Sequence, residues 1–283
     1  MNNCPIGIDL GGTKLLLLCG DIEEVCVTGI SFTPDELLLQ LEFFITRHAL
    51  TPTCIGLAVP GLVENDGCIA ACDVLPAFKG WQARYALQKF CASVAVLNDV
   101  KAAMLEEMQD VPENTTGGVI MVGTAIGAAF MVHGQPLLGA SGWAGELGYL
   151  PIQCRDAQVK RLDEVAGGAA IARRCGVMPA MLAQRAKAGD PAILHAIEQA
   201  GEAFGLGIAT VINLLNPSVL SVGGGTSQLP GYWEAALATA KQHALPELWR
   251  DCSLIRVKAG SRVVAFGAIR AADRGCKTNC VIA

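Results

Sequence analysis

Charge and aromatic rings are what this chain has least of. Only 17% of its 283 residues are charged and 5% aromatic, against 52% hydrophobic. A core must therefore be built from aliphatic side chains and glycine, a composition suited to α/β folds with buried parallel strands. Basic blocks are missing too: with a formal net charge of −5 and no run of Lys and Arg, nothing gathers a field for a polyanion, which argues against nucleic acid as a direct partner. No apolar run reaches the length that crosses a bilayer; the longest, Gly117 to Val132, is broken by glycines. No charged N-terminal region precedes a cleavable apolar segment, so a cytoplasmic protein without membrane contact is expected. Metal-ligand spacing is also lacking. The 12 cysteines are scattered, several of them (Cys19, Cys54, Cys91) inside apolar segments, and none has C-x-x-C spacing. The pairs Cys68/Cys72 and Cys276/Cys280 have no His or Cys at ligand distance in sequence, so neither a zinc nor a disulfide framework is expected.

What the chain does have begins at Ile6-Gly7-Ile8-Asp9-Leu10-Gly11-Gly12-Thr13-Lys14, followed at once by Leu15 to Leu18. Two apolar runs joined through two glycines and Thr read as buried strands around a tight turn. Such a turn is compatible with a plain hairpin and with a phosphate cradle. In the second reading, backbone N–H groups and the Thr13 hydroxyl face the anion, Lys14 counters its charge and Asp9 faces a hydrated Mg²⁺. The same plan returns later, with strand Gly117 to Val122, turn Gly123-Thr124-Ala125-Ile126-Gly127, and strand Ala128 to Val132. Two such turns could grip one polyphosphate.

Other segments place themselves around these. Thr33 caps a helix from Pro34 to Leu50 with apolar residues at helical spacing. Cys54 to Val59 is a strand running into Pro60-Gly61, and 72–81 reads as a substrate-side loop or a hydrophobic connector. Val94 to Leu97 is a strand followed by Asn98-Asp99 at the start of a helix. That position suits an ordinary N-cap, and it equally suits an ionised carboxylate that accepts a proton from a substrate hydroxyl. Polar residues 110–116 mark a crossing between lobes. Pro191 to Leu215 is one long helix with Gly201, Gly205 and Gly207 permitting close packing, Val219 to Val222 a strand, and Arg262 to Arg274 the last helix. His48, His133, His195 and His243 match no motif.

Taken in order, six markers resemble the ROK family of sugar kinases and sugar-responsive repressors, within the actin-like ATPase superfamily. They are 9–14; Val59-Pro60-Gly61; Leu97-Asn98-Asp99; Gly123-Thr124; Gly142-Trp143-Ala144-Gly145-Glu146-Leu147-Gly148; and Asn216-Pro217 leading to Gly223-Gly224-Gly225. The resemblance runs from about Ile6 to about Ala272. It implies a two-lobed α/β fold of the actin-like, ribonuclease H-like kind with an ATP and sugar cleft between the lobes. The N-terminal lobe would be 1–116, completed by about 262–283, and the C-terminal lobe 117–261. It further implies Asp99 as catalytic base, and Asn98, Glu146, Asp163, Gly61 and Tyr149 at the sugar. Asp9, Gly11, Gly12, Thr13, Lys14, Gly123, Thr124, Gly223, Gly224 and Gly225 would lie at the nucleotide, with Asp9 reaching Mg²⁺ through water. ATP, Mg²⁺, a small sugar and a homodimer complete the implied set.

Departures bear on function. Where the family continues Glu-x-Gly with a His that contacts sugar and ligates zinc, this chain has Tyr149. Where the family has a C-x-C-G-x-x-G-C cluster, Cys154 stands alone, so zinc is not expected. The alignment puts Asp163 at a sugar-binding Glu, with Glu164 one residue away. The second turn carries Ala125, Ala128 and Ala129 in place of glycines, which either block a backbone approach or pack where no phosphate comes. Only eight residues precede Asp9, leaving no room there for the helix-turn-helix domain of the repressors. The expectation is an ATP-dependent kinase for a hydroxyl of a hexose or N-acetylated hexosamine. The alternative is a catalytically weak sugar sensor that needs a partner.

Overall fold

The computed structural model of the chain describes residues 2–153, 158–258, 260 and 262–279. It folds as two compact units, Met1–Asp110 with Leu138–Ala144 and Lys258–Ala283, and Val111–Leu137 with Gly145–Val257. The segment Leu138–Ala144, inside the range expected for the second lobe, belongs to the first unit. Among the described residues, no helix is long and apolar enough to cross a membrane.

In the first unit, β1 (Asn2–Leu10), β2 (Lys14–Cys19) and β3 (Ile22–Val27) form an antiparallel meander. Helix α1 (Pro34–Arg47) leads to β4 (Leu50–Val59), parallel to β1; short strands β5 (Leu62–Val63) and β6 (Ile69–Ala71) and helix α2 (Ala83–Leu87) follow. Then β7 (Val94–Asn98) runs parallel to β4 and opens α3 (Asp99–Glu107), completing a sheet of order β3-β2-β1-β4-β7. The run Leu15 to Leu18 is apolar throughout because both faces of β2 are covered. Leu15 and Leu17 join the cluster with Leu37, Leu41 and Phe44 of α1, while Leu16 and Leu18 meet Ala265 of the C-terminal helix Val263–Asn279. Helix α1 starts where Thr33 predicts, in a reciprocal cap: the Thr33 amide donates to Glu36 (2.8 Å) and the Glu36 amide to Thr33 Oγ1 (3.3 Å). It ends at Arg47, short of the expected Leu50; Ala49, at a φ of 49°, turns the chain so that β4 begins four residues before Cys54.

The C-terminal helix lies almost on the backbone of this sheet, and glycine makes that approach feasible. A Cβ on Gly7 would stand 2.3 Å from the Ala265 carbonyl oxygen and one on Gly56 2.0 Å from that of Ala268; on the helix side, a Cβ on Gly267 would stand 1.7 Å from the Ala102 oxygen of α3. The nearest obstructing atom at each of the three is backbone, which cannot swing aside.

One expectation is corrected here. Cys4 and Cys19 are joined by a disulfide, with Cα atoms 6.3 Å apart. Spacing of 15 residues hides the pair because it is made adjacent only by the antiparallel pairing of β1 with β2, whose register sets Gly7 opposite Leu18. In a reducing compartment the same pairing would hold two neighbouring thiols.

The second unit repeats the plan. Strands β8 (Gly117–Val122), β9 (Ile126–Val132) and β10 (Gln135–Pro136) form a meander, followed by the hairpin β11 (Pro151–Gln153) and β12 (Val159–Arg161). Helices α4 (Leu162–Ala166), α5 (Gly168–Arg174), α6 (Pro179–Lys187) and α7 (Pro191–Leu215) precede β13 (Val219–Gly223), α8 (Tyr232–His243), α9 (Pro246–Asp251) and β14 (Ser253–Arg256). Sheet order is β10-β9-β8-β13-β14, so both units carry three antiparallel strands and then two parallel ones. Helix α7 has the predicted bounds. Asp190 caps its first turn, left-handed Asn216 (φ 46°) ends it, and Ile193, Ile197, Phe204, Ile208 and Ile212 are buried at helical spacing. Each such side chain contributes roughly 1.5–3 kcal/mol. Gly201 and Gly205 admit α8: a Cβ there would lie 2.3 Å from Tyr232 O and 2.5 Å from Ala236 O.

The close approach of the C-terminal helix predicts a sharp contrast between two glycines. Gly56→Ala places a methyl inside backbone atoms of Ala268, whereas Gly29→Ala meets nothing within 4 Å. Urea denaturation of the first should show a loss of about 3 kcal/mol or more, and of the second less than about 0.5 kcal/mol. Equal stability of the two variants would contradict this packing.

Candidate functional site

The two glycine turns share an architecture that sequence shows only in part. In the first, the Gly11 amide folds back to Lys14 O (2.8 Å), while Thr28 Oγ1 donates to Gly11 O (2.7 Å) and the Thr28 amide to Thr13 O (3.1 Å). In the second, the Gly123 amide folds back to Ala125 O (2.9 Å). Gly123 O accepts from the Gly168 amide (2.9 Å) and Thr226 Oγ1 (2.8 Å), and Thr124 O accepts from the Ala169 amide (3.1 Å). In each case these carbonyls are held from behind. The amides of Gly12 and Thr13, and of Thr124 and Ala125, donate no hydrogen bond among the described residues. A loop whose flanking carbonyls are held and whose consecutive amides are unused has the electrostatics of an anion nest. Thr13 and Thr124 are exposed, so their hydroxyls are available as further donors.

The glycines serve space rather than unusual dihedrals in the first turn. Neither Gly11 nor Gly12 has a positive φ; a Cβ on Gly12 would press on Val74 at 3.2 Å. Thus Val74, from the segment 72–81, borders the turn, while Leu75 and Phe78 of the same segment are fully buried. In the triple glycine the demand is different. Gly224 sits at φ 92°, and a Cβ there would fall 2.3 Å from Val122 O; Gly225 is exposed and open.

Asp9 is the penultimate residue of β1, next to the first turn. Burial pushes its carboxyl up to about 6, with the Lys14 ammonium pulling the other way. A half-desolvated carboxylate of this kind gains from a nearby hydrated divalent cation, so the residue type and setting fit Mg²⁺ held through water.

A second group assembles in the first unit. Asn98 caps α3, its Oδ1 accepting from the amides of Val100 (2.9 Å) and Lys101 (3.3 Å), while its Nδ2 donates to Gly61 O (3.1 Å). The cap reading of Asn98 is therefore realised, and only part of its amide group remains for a ligand. Asp99 is the first residue of the helix and accepts from the Val100 amide through Oδ1 (2.8 Å). Lys101 Nζ donates to Gly142 O, and a Cβ on Gly142 would meet Asn65 and Val63. The turn after β4, the start of α3 and the segment Leu138–Ala144 are thereby held together.

In the second unit, Asp163 and Glu164 part company. Asp163 points inward, its Oδ1 accepting from the Ile126 amide at 2.6 Å, and a Cβ on Gly148 would come within 2.5 Å of its carboxylate. Burial holds its carboxyl above the usual range. Glu164 is exposed and turned to Arg161, whose backbone amide it accepts (2.9 Å). Tyr149 is 58% exposed, with the Arg161 guanidinium 4.7 Å over its ring; Glu146 is exposed at the start of the 3₁₀ turn Leu147–Tyr149. Of the alanines in the second turn, Ala125 is exposed whereas Ala128 and Ala129 are buried inside β9. Cys154 lies outside the described residues, and among those described no three His, Cys, Asp or Glu side chains converge as a metal site.

Sequence reasoning missed the groups behind the turns: Thr28, Thr226, Gly168 and Ala169. Thr226 directly follows the triple glycine and Gly168 ends Gly167-Gly168, but nothing in spacing tells which carbonyl each would meet.

Comparison with known proteins now adds to this geometry. The model of the ROK family matches residues 5–274. The chain is 27% identical to a kanosamine kinase of Amycolatopsis mediterranei over 78% of this chain and 80% of that protein. It is 26% identical to a xylose repressor of Caldicellulosiruptor bescii over 77% of this chain and 65% of that protein. Among solved structures, a ROK hexokinase from Thermus thermophilus superposes with a TM-score of 0.82 at 26% identity, covering 97% of this chain and 99% of that one. The fold is accordingly that of the actin-like ATPases.

The setting of Asp9 gives a pH-dependent expectation. Because its folded value of about 6 lies above the ordinary aspartate value of 3.8, ionisation costs folding energy. That cost is absent below pH 3.8, grows through the interval, and is complete above pH 6. Asp9→Asn should therefore raise stability by on the order of 2 kcal/mol near pH 7.5 and leave it unchanged near pH 3.5. Thermal melts at both pH values check this; a variant less stable at pH 7.5 would contradict it.

Proposed function

The chain belongs to the ROK family, and on that premise we propose that it is an ATP-dependent kinase for a hydroxyl of a hexose or N-acetylated hexosamine. The observation that carries the reading is the pair of glycine turns with carbonyls tied back and amides unused, two anion nests on one chain. Phosphoryl transfer mainly requires positioning and charge stabilisation of a polyphosphate, plus one base aligned on the acceptor. In the proposal the nests take ATP phosphates with Lys14, Gly223 to Gly225 lie near the nucleoside, and Asp9 holds Mg²⁺ through water; the metal would neutralise charge developing on the phosphates. Asp99 removes the proton from the sugar hydroxyl as its oxygen bonds to the γ-phosphorus and ADP departs. Glu146, Gly61, the free part of the Asn98 amide, Tyr149 and the unengaged oxygen of Asp163 orient the sugar. The inward direction of Asp163 and the pairing of Glu164 with Arg161 favour Asp163 of the two acids. No zinc enters the proposal. A cytoplasmic setting and a homodimer belong to it on family grounds alone.

The sensor reading draws support from Tyr149 at the usual His position and from the similarity to a repressor. Retention of the Asp99 position and both nests favours the kinase. With Mg-ATP and a panel of hexoses and hexosamines, ADP release should depend on at least one sugar. Asp99→Asn should then lower kcat at least about a hundredfold while sugar affinity by calorimetry stays within about threefold. Sugar binding with no ADP release would establish the sensor instead, and an unimpaired Asp99→Asn enzyme would remove Asp99 from the chemistry.

A further inference from the structure

Away from its own glycine turn, the second unit carries a cavity of about 970 Å³, the size of a small-ligand site. Its walls come from the hairpin β11–β12, from α4 and α5, and from α7 and α8; its apolar floor includes Val165, Ala203 and Leu206. Around that floor stand Lys160, Arg173 and Arg174, on a chain whose net charge is −5. Like charges do not gather in one concavity without cost. Two acids, Glu164 and Glu202, line the cavity as well; Glu164 pairs with Arg161 and also feels the Arg173 charge, so the pair Arg173 and Arg174 outweighs it only in part. Arg174 is fixed in place: Nη1 donates to Gln199 Oε1 (2.9 Å) and Nη2 to Val165 O (3.0 Å). A guanidinium immobilised in this way is a preorganised fork for a phosphate or carboxylate, with little side-chain entropy left to lose. The Arg173 guanidinium, beside it on α5, makes no side-chain hydrogen bond among the described residues and lies in the field of Glu164. Gln153, Gln242 and Thr239 supply neutral donors and acceptors suited to hydroxyls.

From this arrangement we propose that the cavity is a second ligand site, for a small polyhydroxylated anion of the class of a phosphorylated sugar. Arg173 and Arg174 bind the anionic group, and the glutamines and Thr239 bind the hydroxyls. The site is separate from the second glycine turn, yet it shares α5 with it. The helix that presents Arg173 and Arg174 at its C-terminal end is the one whose first amides, Gly168 and Ala169, hold the carbonyls of the second turn. The site stands independently of the kinase reading, because none of its residues belongs to the machinery proposed for phosphoryl transfer.

The experiment is a binding titration on the full chain, by calorimetry and thermal shift, with hexose 6-phosphate, the unphosphorylated hexose and inorganic phosphate as separate probes. Because a hexose also fits the proposed sugar site, each is repeated on Arg173→Glu and Arg174→Ala. Hexose 6-phosphate should bind the wild type at least tenfold more tightly than inorganic phosphate. Arg173→Glu should weaken that binding at least tenfold, Arg174→Ala at least threefold, and neither should change affinity for the neutral hexose. Equal affinity for inorganic phosphate and the sugar phosphate would mean an adventitious anion only and would overturn the proposal. So would binding unaffected by either change, or an Arg173→Glu chain whose sole defect is loss of self-association, which would make the cavity an interface. A chain that binds sugar phosphate here but fails to phosphorylate any sugar would refute the kinase reading and leave this site standing.

Discussion

A peptide turn presents its amides to an anion only if its own carbonyls are held elsewhere, and much of this structure follows from that requirement. Oxygen dipoles left facing the same side would repel the phosphate that the amides attract. In the first unit one residue does the holding: Thr28 supplies a hydroxyl to Gly11 and an amide to Thr13. In the second the task is divided among Gly168, Ala169 and Thr226. The two solutions differ in sequence but leave the same residue: two consecutive amides in each turn with no intramolecular partner. The supports also explain distant choices. Gly168 has no room for a side chain, since a Cβ would lie 2.4 Å from Thr226 Oγ1 and 2.9 Å from Gly123 O. The short helix α5 begins there because its first amides are already spent on the turn.

Rigidity behind the first turn has a different origin. Strands β1 and β2 are sandwiched between the apolar face of α1 and the C-terminal helix, which rests on glycines rather than on side chains. Interiors packed at crystal-like density do not yield to sub-ångström displacement, so a turn at the end of such a hairpin is held in one geometry. The Cys4–Cys19 bond lies at the opposite end of that hairpin. Its position away from Gly11 to Lys14 places it among scaffold contacts rather than among ligand-facing groups.

Legibility in the sequence followed the range of each interaction. Local signals were readable: the Thr33–Glu36 cap, the 3.6-residue period of α7 bounded by Asp190 and Asn216, and the strand, turn, strand plan appearing twice. The family resemblance, drawn from six short motifs, matched the family model over residues 5–274. Long-range pairings were not readable. Nothing in spacing brings Cys4 to Cys19, Thr226 to Gly123, or Asp163 to the Ile126 amide 37 positions away. Leu138–Ala144 groups with the first unit, where Lys101 donates to the Gly142 carbonyl 41 positions on. Gly11 and Gly12 show a subtler limit: sequence says glycine, but only the structure shows that neither needs a positive φ and that a Cβ would press on Lys14 O at Gly11 and on Val74 at Gly12.

The central claim is that unused amides in two turns are the phosphate-binding groups, and amide NMR reads those groups directly. On titration of the isotopically labelled chain with Mg²⁺ and a non-hydrolysable ATP analogue, the resonances of Gly12, Thr13, Thr124 and Ala125 should move downfield and saturate together. The amides of Gly168 and Ala169, already hydrogen-bonded, should move less. Saturable nucleotide binding that leaves all four turn amides unshifted would contradict the account.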